Sequence, residues 1–329
     1  MENTRISVVI PAYNGEKFIS KAIESVLRQT VQDFEIIVVD DCSKDRTADI
    51  VREYAKKDKR VKLFVLEKNS GGPAKPTNVG IEQSQGEYVS YLDQDDIYLP
   101  DSFEKRLKIL EKGGVDVLIA NMWVVDLESG RFIDYLDSNV SSFMISRKMF
   151  DLNEIGLLSE EASGIDEYEW LMRYRLKKGT AGIKYFNEPA VLYMRHEGQI
   201  SEADYSEKSV NAFLRRDFVV LKIAETGGPD FKDDLSWIYF WIGYRYGLLG
   251  NFKSSREYLK KSLENGSKPP AKIFLIMSIL GSKSLYLLLA KLIKFIKKKI
   301  VKKMRLEKMI KMYPAAYKNA LEFYKNIAQ

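Results

Sequence analysis

Between Ile6 and Ala120, five short apolar runs, ISVVI, FEIIVV, VKLFVL, EYVSYL and VDVLIA, alternate with longer segments of helical spacing. Strands this continuously apolar are buried on both faces, and the distance from each run to the next suits a unit of strand, crossover helix and strand. The first intervening helix sets Phe18, Ala22, Ile23, Val26 and Leu27 on one stripe, and the second sets Ile50, Val51 and Tyr54. The expected fold is therefore α/β, a mostly parallel sheet flanked by helices. Ligands bind such sheets beyond the carboxyl ends of the strands. That rule selects three polar loops, Pro11 to Gly15, Asp40 to Asp45 and Asp93 to Asp96.

The rest of the chain reads differently. From about 121 to 200 the pattern is less regular, with short strands such as Ala190 to Met194 and a helix around Tyr168 to Lys177; from about 205 onward everything reads as helix. Within it, Tyr239, Ile242, Gly243, Tyr246, Gly250, Ser255, Leu259 and Ser262 fall near the spacing of one tetratricopeptide hairpin. A single repeat cannot bury its own face, so it must pack on the body, on the next helix or on another subunit. The expected organisation is a sheet domain over 1–204, a helical region over 205–268 and basic amphipathic helices over 269–329.

Charge is unevenly spread. Residues 291–312 hold ten Lys or Arg and one Glu, a net +9, which leaves −3 on the remainder of a chain whose formal charge is +6. A mildly acidic body with a basic tail argues against a nucleic-acid-binding core and for a tail that meets an anionic surface. The lone cysteine, Cys42, excludes an internal disulfide and fits a reducing compartment. The N-terminal apolar run ends at Pro11, too short for a signal-peptide core, so a cytoplasmic location is expected.

Asp93, Asp95 and Asp96 fall within four positions, straight after an apolar run. Carboxylates so close repel one another unless a cation, a donor or water offsets the charge. One reading is a site for a divalent metal carrying a phosphate; the other is a solvated acidic turn, since Asp is a common turn residue.

The string SVVIPAYNGEKFISKAIESVLRQTVQDFEIIVVDDCSKDRTADIV, followed by GGPAKPTNVGIEQSQGEYVSYLDQDD, resembles the family 2 glycosyltransferases with the Rossmann-like GT-A fold. The resemblance covers roughly residues 5–200, its first hundred residues being the most specific. It implies a nucleotide-binding sheet, a nucleotide-diphosphate sugar donor, with UDP the expected nucleotide, and a Mn2+ or Mg2+ ion. Carried over by position, Pro11, Ala12, Tyr13 and Asn14 line the base, Asp40 accepts from a base N–H and Asp41 sits behind it. Asp93 and Gln94 lie along the donor, and Asp95 with Asp93 holds the metal. The plainer readings are that Tyr13 and Asn14 are turn residues and that Asp40, Asp41 and Ser43 only cap the next helix. Relatives often carry Arg where this chain has Thr77, so Lys75 is the substitute cation for the diphosphate, unless it is simply solvated. Asn78 matches the family and is expected to hold the loop to the D-x-D strand.

GIDEYEWLMRYRLKKG resembles the acidic pair preceding a Tyr-x-x-x-x-x-Arg helix in these enzymes, with the usual order of Glu then Asp reversed to Asp166 then Glu167. The second carboxylate is the general base in relatives, which favours Glu167 and leaves Asp166 a competitor; two acids at a helix start are also ordinary dipole partners. Glu169 and Arg173, four apart, suit a helix-surface pair. His196, the only histidine, stands in YMRHEGQIS, similar to the Tyr-x-x-His-x-x-x-x-Ser segment of relatives, where the imidazole lies near the metal or diphosphate. A lone histidine is otherwise usually structural. Trp123 is either an acceptor platform or, more simply, core.

Residues 271–300 are apolar but broken by Lys272, Lys283, Lys291 and Lys294, and the longest uncharged run, Ile273 to Ser282, is far short of the roughly 20 residues a spanning helix needs. A helix carrying Leu287, Leu288, Lys291, Ile293, Lys294, Phe295 and Lys298 suits an interfacial position on anionic lipid. Packing on the body or in a homo-oligomer is the competing reading. Together these features imply an inverting hexosyltransferase at the inner face of the membrane, acting on a glycan, teichoic acid or lipid-linked acceptor. A sugar-phosphate nucleotidyltransferase would show a Gly-rich, basic N-terminal signature that PAYNG lacks, and a non-catalytic scaffold would not need Asp93, Asp95 and the 166–167 pair.

Overall fold

The computed structural model describes residues 4–136, 140–196, 206–266, 269–296 and 302–328. The chain forms two compact units, one of residues 1–160, 178–197 and 302–329, the other of residues 161–177 and 198–301. Contacts therefore group the chain along its fold rather than along its sequence, and the last helices belong with the sheet.

In the first unit, β1 (Ile6–Ala12), β2 (Phe34–Asp40), β3 (Val61–Val65) and β4 (Tyr88–Tyr91) run parallel, joined by α1 (Ile19–Leu27), α2 (Thr47–Lys57) and α3 (Ala74–Glu82). Further along come β5 (Ile97–Tyr98), α4 (Ser102–Leu110), β6 (Val117–Asp126), β7 (Arg131–Leu136), β8 (Phe143–Ser146) and β9 (Ile183–Arg195). The sheet order is β3-β2-β1-β4-β8-β6-β9-β5, with β7 on β6. The first four strands form the parallel, helix-flanked sheet expected, and the sheet as a whole is mixed: the antiparallel β8 separates β4 from β6, so VDVLIA does not continue the parallel series. Along one edge β6 pairs first with β8 and then with β7, both antiparallel, while β9 lies parallel along the other.

The core forms as the apolar pattern requires. Val8, Ile10, Ile36 and Val38 are fully buried with Ile19, Ala22, Ile23 and Val26 of α1, Val51 of α2 and Phe103 of α4. Burying a Val, Leu, Ile or Phe side chain contributes about 1.5–3 kcal/mol each, so this cluster dominates the unit. Gly86 stands where an added Cβ would meet the Ser7 backbone nitrogen at 2.6 Å, which lets the turn into β4 press against β1.

Another cluster joins the sheet to α11 (Lys302–Met312) and α12 (Pro314–Ala328), labelled in chain order after the helices of the second unit. Ala320, Tyr324 and Ile327 pack with Trp123, Val125, Leu192 and Met194, and Leu306, Met309 and Ile310 lie half-buried beside them. Trp123 is fully buried among Phe132, Tyr135 and Tyr317, so it is a core residue and not a sugar platform. Asp134 of β7, also buried, draws Lys302 at 3.4 Å and Arg305 at 3.8 Å, which anchors α11.

The second unit is helical: α5 (Asp166–Lys178), α6 (Glu207–Thr226), α7 (Lys232–Leu249), α8 (Phe252–Asn265), α9 (Pro269–Leu280) and α10 (Lys283–Ile296). The α7–α8 hairpin follows its repeat-like residues. Gly250 ends α7 at φ +84°, Asn251 caps α8 by accepting from the Ser254 N–H, and Gly243 leaves room for Leu259. Its two faces are covered by α6 with Met172 and by α9 with α10. Among the described residues no helix is long and apolar enough to cross a membrane. The interfacial contacts expected of Lys294, Phe295 and Lys298 lie outside the described side chains, as does the serine at 201 that closes the His196 segment.

Candidate active site

The carboxyl ends of β1, β2 and β4 carry the three predicted loops, and they are laced together. The Asn14 N–H donates to Ser43 Oγ, the Lys44 N–H to Asn14 Oδ1, the Gly15 N–H to Thr47 Oγ1 and the Glu16 N–H to Asp45 Oδ2. Asn14 adopts a left-handed φ of 47°, a conformation Asn tolerates better than most residues. Its amide oxygen is thus engaged in joining the first loop to the second. Gln94 does the same between the first loop and the β4 loop: its Oε1 accepts from the Tyr13 N–H and its Nε2 donates to the Tyr13 carbonyl, both at 3.0 Å. The side chains of Asn14, expected at the base, and Gln94, expected along the donor, are thus engaged in holding this frame.

What this frame presents is the Tyr13 ring, 44% exposed, and the end of β2. Pro11 and Ala12 lie within β1, paired with Val39 and Asp40, so they shape the floor through their backbone. Asp40 is buried; its Oδ2 accepts from the Ser43 N–H at 3.1 Å, while Oδ1 has no hydrogen-bond partner among the described residues. A buried acceptor left unpaired costs about 1–3 kcal/mol, which a ligand N–H would recover. Capping by Ser43 and a ligand role for Asp40 are compatible, because they use different oxygens. Asp41 turns away and clamps the next loop, accepting from the Ser70 N–H and Oγ and from Asn69 Nδ2.

Two expectations around α3 are redirected. Lys75 pairs with Glu160 at 3.2 Å, both side chains about half exposed, and an exposed pair of this kind is worth only about 0–1 kcal/mol. Asn78 binds the Leu158 backbone twice, at 2.9 Å each, instead of reaching the D-x-D strand.

The carboxylates after β4 do not share one environment. Asp96 is buried, accepting from the Met194 N–H at 3.1 Å and from Ser141 Oγ at 2.6 Å. Burial pushes its carboxyl well above the usual range, and the Asp95 charge adds to this. Ser141 Oγ in turn accepts from the Asp93 N–H at 2.9 Å, so one hydroxyl ties the loop at both ends. Asp95 faces elsewhere, with its Oδ2 2.9 Å from His196 Nε2, and both side chains retain some exposure. Phe18, expected in the α1 core stripe, instead stacks on the His196 ring at 4.4 Å and fixes its plane. Neither Phe18 nor Ser141 carried a sequence signal for this role; an aromatic at a helix start reads as core, and one serine in a loop reads as nothing.

Among the described residues no three His, Cys, Asp or Glu gather into a metal site. The Asp95–His196 pair still fits a divalent ion as a partial shell, one oxygen and one nitrogen donor, with phosphate oxygens and water suited to the remaining positions.

In the helical unit, α5 opens on the second acidic pair. Gly164, at φ +93°, turns the chain so that its N–H donates to Asp166 Oδ1 at 2.6 Å. Asp166 is buried with one oxygen thus engaged, while Glu167 is half-buried. Burial pushes both carboxyls up, to about 6 for Asp166 and about 7 for Glu167; the Arg216 charge restrains the first and the Asp166 charge adds to the second. Glu169 and Arg173 form the expected i, i+4 pair, but it is bidentate and Glu169 is buried.

Comparison with known proteins places this arrangement. TarS of Staphylococcus aureus (strain Mu50 / ATCC 700699), a poly(ribitol-phosphate) β-N-acetylglucosaminyltransferase, is 39% identical over 120 residues, which is 36% of this chain and 21% of TarS. The putative teichuronic acid biosynthesis glycosyltransferase TuaG of Bacillus subtilis (strain 168) is 43% identical over 105 residues, 32% of this chain and 41% of TuaG. The chain thus spans well under half the length of these relatives. The crystal structure of S. aureus TarS 1–349 with UDP-GlcNAc superposes with a TM-score of 0.54 at 23% identity, covering 79% of this chain and 89% of that one. A mannosyltransferase from Pyrobaculum calidifontis, in complex with GDP-Man and Mn2+, gives 0.54 at 15% identity, covering 91% and 87%. These likenesses establish the GT-A fold. The model of the family "Glycosyl transferase family 2" matches residues 7–174, over half of the chain, and this protein accordingly belongs to glycosyl transferase family 2.

Proposed function

We propose that this protein is a metal-dependent inverting glycosyltransferase that moves a sugar from a UDP-linked donor to a hydroxyl of a cell-surface glycan, teichoic acid or lipid-linked acceptor. The observation that carries the reading is the unpaired Oδ1 of Asp40, buried at the end of β2 where Asp40 pairs with Ala12, the residue before the exposed Tyr13. A uracil ring matches both, stacking on Tyr13 and donating its N–H to Asp40. UDP is also the nucleotide bound in the TarS structure, and TarS and TuaG carry the names of cell-wall polymer enzymes.

Asp95 and His196, with Asp93 alongside, are the residues that would hold Mn2+ or Mg2+, which supplies charge neutralisation for the leaving diphosphate. Lys75 can exchange its weak partner Glu160 for a phosphate oxygen. Glu167 takes the acceptor proton. Its raised affinity for protons suits a base working near neutral pH, and Asp166, with one oxygen held by Gly164, positions the start of α5. The acceptor oxygen forms its bond to the anomeric carbon as the bond to the diphosphate oxygen breaks, and this single displacement inverts the centre. The lysine-rich C-terminal region supports work at the cytoplasmic face of a membrane.

Release of UDP from a panel of UDP-sugars, with Mn2+ and with chelator, tests the reading. UDP-sugar turnover that needs Mn2+ and falls in Asp40→Ala through weaker UDP binding is expected; equal UDP affinity in that variant would remove the argument.

A further inference from the structure

Helices α9 and α10 are apolar on two sides. One side of each is buried within the helical unit: Ala271 and Phe274 of α9 and Tyr286 and Ala290 of α10 pack with Phe240, Leu248 and Leu259. The other sides carry Ile273, Ile276 and Leu280 on α9 and Leu285, Leu288 and Leu292 on α10, each set at i, i+3, i+7 spacing and so on one stripe. Ile276, Leu280 and Leu288 are 60%, 61% and 65% exposed. A helix with apolar stripes on two sides belongs in a core or against lipid, and exposed aliphatic stripes of this kind mark an interaction site.

The charges around the stripes select the occupant. Lys272, Lys283 and Lys291 are exposed beside them, and between Glu264 and Glu307 the sequence has eleven Lys or Arg and no Asp or Glu. Protein interfaces draw their energy from Trp, Tyr and Arg anchors and are depleted in Lys, whereas helices lying on anionic lipid combine Leu or Ile with a lysine border. At 12 and 14 residues the helices span about 18 and 21 Å, less than the roughly 30 Å of a bilayer core, so they lie in the interface plane. By contrast, the apolar side of α11–α12 is already covered by the sheet.

We propose that the exposed face of α9–α10 docks this protein on an anionic bilayer surface. The proposal rests on and deepens the membrane part of the reading above, which the sequence placed between Leu287 and Lys298, by assigning it to the exposed stripes of both α9 and α10. The test is flotation of the full chain with vesicles of phosphatidylcholine alone and of phosphatidylcholine with phosphatidylglycerol. Binding to the anionic vesicles, weakened by salt and by Lys283→Glu with Lys291→Glu, is expected. Ile276→Ser with Leu288→Ser, both exposed and so compatible with folding, should weaken it by at least about tenfold. Thermal melting of both variants checks that the fold is retained. Absence of flotation, or equal flotation of the Ser variant, overturns the proposal; so does a wild-type dimer that the same Ser variant dissociates without altering flotation, which assigns the face to a second copy. Flotation needs neither donor nor acceptor, so an inactive enzyme that floats, or an active one that does not, separates the failure of this inference from that of the proposed reaction.

Discussion

The two carboxylate clusters, Asp93–Asp96 and Asp166–Glu167, relieve the same repulsion in opposite ways. The first separates its members: Asp96 turns into the core onto Ser141 and Met194, and Asp95 meets an imidazole. The second keeps its carboxyls as neighbours at a helix start, where burial raises both toward neutrality and the Asp166 charge raises Glu167 further. On the proposed reading, the divided cluster would offer a ligand to a cation and the paired cluster would offer a proton acceptor.

The largest test of this contrast is Asp95→Ala. It removes the oxygen donor of the partial shell, and loss of several kcal/mol of charge stabilisation corresponds to a fall of about 10³-fold or more in UDP release. Full activity in Mn2+ would make the first cluster an ordinary turn. Glu167→Gln comes next, with an expected loss of about 10²- to 10⁴-fold in transfer and unchanged UDP affinity by calorimetry. If Asp166→Asn shows that pattern and Glu167→Gln does not, the two roles are exchanged.

A smaller effect is expected at the base pocket. Asp40→Ala should weaken UDP by about 10- to 100-fold, matching one charge-assisted hydrogen bond of roughly 1.5–3 kcal/mol. A subtler measurement sharpens the second cluster through pH. Glu167 binds its proton more tightly folded than unfolded, so its contribution to stability is fully present below the unfolded value of 4.5 and is lost as pH rises through about 7. Glu167→Gln should therefore raise Tm at pH 8 and leave it nearly unchanged near pH 4, and the wild-type transfer rate should fall as pH drops through the same range. The smallest effect belongs to Gln94→Ala, which frees the Tyr13 backbone at a cost of about 1 kcal/mol and should loosen UDP binding modestly without altering the pH profile.

Much of the fold was legible because burial on both faces leaves long apolar runs. Runs of the ISVVI and FEIIVV kind announce β1 and β2, and the stripes of α1 and α2 lie where 3.6-residue periodicity sets them. The four residues of β8 are too few to show a period, and β9 carries polar and aromatic residues in its first half with register shifts against β6, so only Ala190 to Met194 resembled a strand. Helix α5 was visible as 168–177 and begins two residues earlier, at the acidic pair itself.

The site divides along the same line. The sequence by itself determined which residue types stand at the carboxyl ends of the strands, since strand length and turn chemistry are local properties. Which of those residues bond to one another was decided only by the tertiary structure: Gln94 reaches Tyr13 across 81 positions, and His196 reaches Asp95 across 101. The same holds for the C-terminal helices, all of which mix apolar and basic residues, yet α11–α12 cover the sheet while α9–α10 keep an apolar stripe exposed. An apolar stripe records that a face must be covered; what covers it depends on which surfaces long-range packing brings within reach.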